Sequence, residues 1–148
     1  TTPGLRVFEK YAVRCGGGKN HRFGLFDAIL IKDNHIKAAG GIASAVKRVR
    51  SKNGPGKPIE VEATNLDEVK EALGTGIDII MLDNMGLDAI LEAVRVIKGK
   101  AKIEVSGTVT LERLEPLSKT GIDCVSIGEL THSPRAADIS MNFVSLDS

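Results

Sequence analysis

Ile59-Glu60-Val61-Glu62-Ala63, then Thr64-Asn65-Leu66-Asp67-Glu68-Val69-Lys70-Glu71-Ala72-Leu73-Gly74-Thr75-Gly76, then Ile77-Asp78-Ile79-Ile80-Met81-Leu82-Asp83 is the stretch that decides the fold. Its two outer runs are short and mostly apolar, as in parallel strands covered on both faces. Between them Leu66, Val69 and Leu73 recur at the helical period. Asn65 and Glu68 stand three apart in a box-like helix start, and Gly74 and Gly76 fall where the helix should stop. The stretch reads strand, helix, strand.

The same rhythm extends in both directions. Further apolar runs lie at Phe26–Ile31, Ala101–Val105, Cys124–Ile127 and Ile139–Val144. Helical periodicity appears at Ile42, Val46 and Val49, and again at Leu87, Ile90, Leu91, Val94 and Ile97. Ser133-Pro134 reads as the start of a last helix, with Pro at the first helical position. Gly99 and Gly121 mark further helix ends, and Gly54-Pro55-Gly56 a surface turn. Strands alternating with helices predict an α/β fold. Polar residues close almost every strand: Lys32, Glu62, Asp83, Ser106 and Gly128-Glu129. That pattern favours a barrel, which carries its site at the carboxyl ends of all its strands, over an open doubly wound sheet, which concentrates function at one switch point. A helix from Leu5 to Val13 opens the chain with no strand before it. The expectation is one domain over residues 1–148, an incomplete TIM-like α/β barrel lacking its N-terminal strand.

Composition removes several classes of function. A formal net charge of +1 gives no broad nucleic-acid footprint. Aromatics at 3% leave too few rings for a base-stacking platform. No apolar run approaches the roughly 18 residues of a membrane span, and no signal peptide is evident. The two cysteines, Cys15 and Cys124, form neither a disulfide framework nor a metal spacing. A cytoplasmic protein with reduced thiols is expected.

Gly16-Gly17-Gly18-Lys19-Asn20-His21-Arg22 comes before the first strand and Lys32-Asp33-Asn34-His35 after it. Three successive glycines do not suit a helix, each costing about 1 kcal/mol against Ala. They read as a loop able to approach a ligand. His21, Arg22 and Lys32 are then three basic groups at one mouth, suited to a small polyanion, with Arg pairing carboxylates in two-point fashion. Asp33-Asn34-His35 reads as a turn that steadies the strand end.

Glu62 and Asp83 end consecutive strands. Such a pair can hold ribose hydroxyls, bind Mg2+ through oxygen, or stabilise a cationic sugar transition state. Glu60 shares the parity of Glu62 and is its rival, but lies deeper along the strand. Ser106-Gly107 and Ile127-Gly128-Glu129-Leu130 read as a phosphate site, because strand-end glycines let backbone N–H groups approach an anion. Thr131-His132-Ser133 reads as a cap for the last helix. Together these groups describe two substrates, a small di-acid and an activated sugar phosphate.

Thr1-Thr2-Pro3-Gly4-Leu5-Arg6, Glu9-Lys10-Tyr11-Ala12-Val13, Gly16-Gly17-Gly18-Lys19-Asn20-His21-Arg22, Leu30-Ile31-Lys32-Asp33-Asn34-His35, Val61-Glu62, Leu82-Asp83-Asn84-Met85, Val105-Ser106-Gly107 and Ile127-Gly128-Glu129-Leu130-Thr131-His132-Ser133 resemble the catalytic domain of quinolinate phosphoribosyltransferase. The resemblance runs from Thr1 to about Val144. It implies transfer of phosphoribosyl from phosphoribosyl pyrophosphate to quinolinate with Mg2+, giving nicotinate mononucleotide, pyrophosphate and CO2, a step of NAD synthesis. It implies that His21, Arg22 and Lys32 hold the quinolinate carboxylates, with Lys32 also counted catalytic. Glu62 and Asp83 would face the ribose and its Mg2+, directly or through water. Ser106, Gly107 and Gly128 would hold the 5′-phosphate. It further implies a homodimer or hexamer in the full-length enzyme.

Family members carry Thr-Arg-Lys immediately before this stretch and an N-terminal α/β sandwich domain before that. Their Arg and Lys contact the substrates, so the present chain alone is expected to be inactive. Thr108 follows Gly107 where many members have a second glycine. The alternatives are a molybdenum-transport-associated paralogue, a nicotinate-using relative, or a non-catalytic ligand-binding fragment. His21, Arg22 and Lys32 together favour the di-acid.

Overall fold

The computed structural model describes residues 1–54 and 56–143. The element order is α1 (Arg6–Cys15), β1 (Ile29–Ile31), α2 (Asp33–Ala39), α3 (Ile42–Asn53), β2 (Ile59–Ala63), α4 (Leu66–Gly74), β3 (Ile79–Asp83), α5 (Leu87–Ile97), β4 (Lys102–Ser106), α6 (Leu111–Ser118), β5 (Cys124–Val125) and α7 (Glu129–His132). Residues Asn20–Ile127 form one compact unit, and Thr1–Lys19 with the segment from Gly128 onward form a second.

In the larger unit the five strands are all parallel and lie side by side in chain order, β1-β2-β3-β4-β5. A doubly wound sheet reverses its order at a switch point. No reversal occurs here, so the winding is that of an α/β barrel, and the sheet is not closed. Alternate strand residues go to opposite faces. Ile59, Val61 and Ala63, Ile80 and Leu82, and Ile103 and Val105 join the core, with Ile42 and Val46 of α3, Val69 and Ala72 of α4, Ile90, Ala93 and Ile97 of α5 and Leu117 of α6. Each fully buried aliphatic side chain contributes about 1.5–3 kcal/mol. The residues between them, Glu60 and Glu62, Met81 and Asp83, Glu104 and Ser106, occupy the other face.

A repeated tripeptide sets strand starts. Gly76-Ile77-Asp78 leads into β3, and Gly121-Ile122-Asp123 into β5. Asp78 Oδ2 accepts the N–H of Ile59 at 2.8 Å, and Asp123 Oδ2 that of Ile103 at 2.7 Å. Each Asp returns its own N–H to the same residue's carbonyl, at 3.1 and 2.9 Å. Because Asp78 is occupied in this way, β3 begins at Ile79 and not at Ile77.

The capping expected at α4 is present with one difference. Asn65 Oδ1 accepts the N–H groups of Asp67 and Glu68 at 3.1 and 2.9 Å, while Glu68 reaches back to the N–H of Thr64 at 2.7 Å. Asp33-Asn34-His35 is the first turn of α2 and not a free turn, and His35 Nδ1 accepts the N–H of Lys32 at 3.0 Å.

Other expectations are corrected. The Phe26–Ile31 run is a strand only over Ile29–Ile31, because the Asp27 carboxylate captures the N–H groups of Phe23 and Gly24 at 2.6 and 2.9 Å and closes a loop that leaves Leu25 and Phe26 exposed. The Cys124–Ile127 run pairs over two residues only. Ile139–Phe143 is exposed and finds no ladder partner among the described residues; Val144, its expected end, lies outside them, as does Pro55 of the expected turn. Among the described residues no helix follows Ser133-Pro134. Thr131 and His132 lie inside α7 and Ser133 ends it. The three glycines finish α1: the N–H groups of Gly16, Gly17 and Gly18 bond to the carbonyls of Ala12, Arg14 and Val13 at 3.0, 3.0 and 2.9 Å, and Gly17 holds a left-handed φ of +83°.

Candidate active site

The strands, their carboxyl ends and the loop before β1 supply the polar side chains of the sheet face opposite the aliphatic core. Lys32 follows the last residue of β1 in extended backbone, with φ −106° and ψ 170°. Its Nζ lies 3.4 Å from Glu62 Oε2, one step before the end of β2. Register sets Glu62 beside Met81 and Asp83 beside Ser106. The two acids thus share a face in successive rows, and Asp83 accepts from the Asn84 side chain at 2.8 Å.

His21 is turned toward carboxylates. Its Nε2 lies 3.0 Å from Glu60 Oε2 and 3.9 Å from Glu104 Oε1. Glu60 and Glu104 are only 4% and 5% exposed. Glu104 also accepts from the Ser126 hydroxyl, and Cys124 Sγ lies 3.5 Å from its other oxygen. The hydrogen bond to Glu60, helped by the charges of Glu60 and Glu104, raises the His21 pKa above its ordinary value against the opposing effect of burial. Burial, reinforced by Glu104, pushes the Cys124 thiol up to about 12. Arg22 Nη1 donates to the Ala28 carbonyl at 3.4 Å, so it braces the loop.

At the carboxyl end of β4, Gly107 has a left-handed φ of +111°. A Cβ there would stand 2.9 Å from the Asn84 nitrogen. The Asn84 N–H bonds to the Ser106 carbonyl at 3.1 Å, and Asn84 Oδ1 accepts the Thr108 N–H at 3.3 Å. Arg113 of α6 donates to the carbonyls of Thr108 and Met85 at 2.7 and 3.2 Å. Asn84 and Arg113 therefore tie together the loops that leave β3 and β4. Gly107 is required by this packing whether or not it approaches a phosphate.

Gly128 belongs to the smaller unit. It precedes the four-residue α7, and its carbonyl accepts the N–H groups of Thr131 and His132 at 3.0 Å.

The structure thus joins Lys32 to Glu62, His21 to Glu60 and Glu104, and Asp83 to Ser106 by register. Sequence reasoning missed Glu104, Asn84, Arg113 and Ser126. Glu104 left a signal: an acid between the apolar Ile103 and Val105 at the centre of the strand, with the parity of Ser106. Arg113 left none, because its role depends on two loops meeting.

Glu62 and Asp83 fit a divalent cation of the Mg2+ type, which takes one or two carboxylates and completes its shell with substrate oxygens and water. Among the described residues, His21, Glu60 and Glu104 also bring ligating atoms within 4.8 Å of one another.

Parallel strands in chain order, with charged and glycine-bearing strand ends on one side, define an α/β-barrel domain with its candidate site at the carboxyl ends. The family model described as "Quinolinate phosphoribosyl transferase, C-terminal domain" matches residues 1–142. The chain is 49% identical over 142 residues to a probable nicotinate-nucleotide pyrophosphorylase [carboxylating] of Bacillus subtilis, covering 96% of this chain and 49% of that protein. It is 51% identical over 148 residues to the protein of the same name in Synechocystis, covering 97% and 50%. Among solved structures, NadC from Streptococcus pyogenes superposes with a TM-score of 0.91 at 48% identity, over 97% of this chain and 50% of that one. The chain belongs to the quinolinate phosphoribosyl transferase C-terminal domain family. It spans about half the length of the curated relatives it matches.

No described helix is long and apolar enough to cross a membrane.

Proposed function

We propose that the protein transfers phosphoribosyl from phosphoribosyl pyrophosphate to quinolinate with loss of CO2, forming nicotinate mononucleotide and pyrophosphate. Membership of the family over nearly the whole chain carries this reading. The side chains fit it. Lys32, His21 and Arg22 would meet the carboxylates of the di-acid. Glu62 and Asp83 would face the ribose, where negative charge favours an oxocarbenium-like sugar. Ser106 and Gly107 would hold the 5′-phosphate.

The ring nitrogen bonds to the anomeric carbon as pyrophosphate leaves. The quaternised nitrogen then stabilises the electron pair left on the adjacent ring carbon when its carboxylate departs as CO2, and that carbon takes a proton from water, so no protein nucleophile is needed. Mg2+, when bound by Glu62 and Asp83, supplies charge neutralisation for the leaving pyrophosphate. Lys32, paired with Glu62, can exchange that partner for a substrate carboxylate. The same reading takes the protein to be a cytoplasmic homo-oligomer, consistent with its two free thiols.

The test is quinolinate-dependent release of CO2 with phosphoribosyl pyrophosphate and Mg2+, on a protein carrying this chain at the length of its relatives. Release only when both substrates are present is expected. A folded protein that releases none, or that accepts nicotinate equally well, overturns the assignment.

A further inference from the structure

Two buried carboxylates on the site face have no part in the reaction as proposed. Glu60 lies on β2 and Glu104 on β4, both almost inaccessible to water. A buried carboxylate is costly unless a cation and hydrogen bonds compensate it. The ion pairs the structure gives both of them are with one residue, His21, at 3.0 and 3.9 Å. The second oxygen of Glu60 has no hydrogen-bond partner among the described residues. Its main compensation is therefore the His21 contact, which is strong only when the imidazole carries a proton. Ser126 and Cys124 occupy the two oxygens of Glu104 from the β5 side. Arg22 lies next to His21 in the chain and opposes its protonation.

We infer that Glu60 and Glu104 are positioning residues, which hold His21 as an oriented imidazolium at the place where the ring di-acid docks. This rests on the proposed reading of the substrate as a pyridine dicarboxylate. It goes beyond that reading by assigning work to two acids that never touch the ligand. A neutral His21 would offer a carboxylate only a dipole. A protonated one, anchored from below on two strands, offers a fixed charge whose orientation is prepaid by the fold. Arg22 and Lys32 then answer for the remaining negative charge of the ligand.

The experiment is an NMR titration of isotopically labelled histidine in the protein, assigned with His21→Gln, alongside quinolinate KM and kcat as a function of pH. His21 is expected to titrate above its ordinary value of 6.5. Glu60→Gln should lower that titration by about a unit or more. The same variant should raise quinolinate KM about ten-fold near pH 8, yet only about two-fold near pH 6, with kcat changed less than KM. Glu104→Gln should do the same more weakly, being farther away. A His21 that titrates at or below 6.5 in the unmodified protein overturns the inference without any variant having to fold. So does a KM change in Glu60→Gln that is equal at all pH values, which is what a merely structural role gives. Mn2+ that abolishes the His21 titration at stoichiometric concentration also overturns it, in favour of a metal cluster. An unmodified protein without quinolinate turnover sinks the reading beneath the inference, whereas normal turnover with an unshifted His21 sinks the inference alone.

Discussion

Asn84 packs over Gly107 so closely that any side chain on Gly107 would run into the Asn84 backbone, 2.9 Å from its nitrogen. Both residues hold left-handed backbone, with φ of +53° and +111°. The ends of β3 and β4 are thereby locked to each other at the place where Asp83 and Ser106 lie side by side.

Gly107→Ala should therefore be costly. The backbone conformation is strained for Ala, and a Cβ would meet the Asn84 side chain and also its main-chain nitrogen, which cannot swing away. Destabilisation of about 2 kcal/mol or more is expected in urea unfolding. Affinity for phosphoribosyl pyrophosphate should fall with it. A variant of unchanged stability would show that the two loops separate easily.

Glu62→Gln tests the opposite balance. The Lys32–Glu62 pair is 3.4 Å apart and its lysine is half exposed, so it contributes at most about 1 kcal/mol to stability. A carboxylate facing an oxocarbenium-like sugar matters far more to the reaction, and kcat should drop by about 100-fold or more. A large loss of stability with modest loss of turnover would mark Glu62 as structural.

Asp78→Ala and Asp123→Ala should each cost about 1.5–3 kcal/mol, because each removes a charged acceptor from the backbone N–H of a neighbouring strand. Asn at either position keeps an acceptor oxygen and should recover part of the loss. Equal unfolding midpoints for Ala and Asn variants would argue against the hydrogen bond as the cause.

Stability should depend on pH through His21. Its folded-state pKa is raised, so its contribution is fully present below the unfolded value near 6.5 and is lost as pH rises through the folded value. Urea midpoints should fall across that window above 6.5 in the unmodified protein. His21→Gln should flatten this segment of the profile, and an unchanged profile would show that the Glu60 contact adds nothing.

Cys124, with a thiol pushed up to about 12, stays protonated near neutrality. Both cysteines are exposed, but because the thiolate is the reactive form, iodoacetamide near pH 8 should leave Cys124 largely unmodified while Cys15 reacts. Peptide mapping by mass spectrometry reads the ratio directly.

Much of the architecture is legible in the chain. The apolar runs at Ile59–Ala63 and Ala101–Val105, the helical period of Leu87 to Ile97, and the Asn65 cap each act over a few residues, so local pattern suffices. The polar strand ends Lys32, Glu62, Asp83 and Ser106 are legible for the same reason, since strand parity and strand end are local properties. The failures are also physical. Phe26 is apolar, but the Asp27 side chain outcompeted the sheet for the nearby N–H groups. Gly16 to Gly18 looked like a ligand loop, but helix closure used their N–H groups.

The α/β alternation, the parallel strands and the residues that stand at their carboxyl ends can be read from the chain alone, because periodicity and capping are encoded within a turn or a strand. That His21 faces Glu60 and Glu104, that Asn84 sits over Gly107 and that Arg113 bridges two loops emerges only when the strands are assembled. Apart from Arg113 to Thr108, those contacts join residues 23 to 83 positions apart. They exist because parallel strands placed side by side bring their ends together, and no local propensity states which ends will meet.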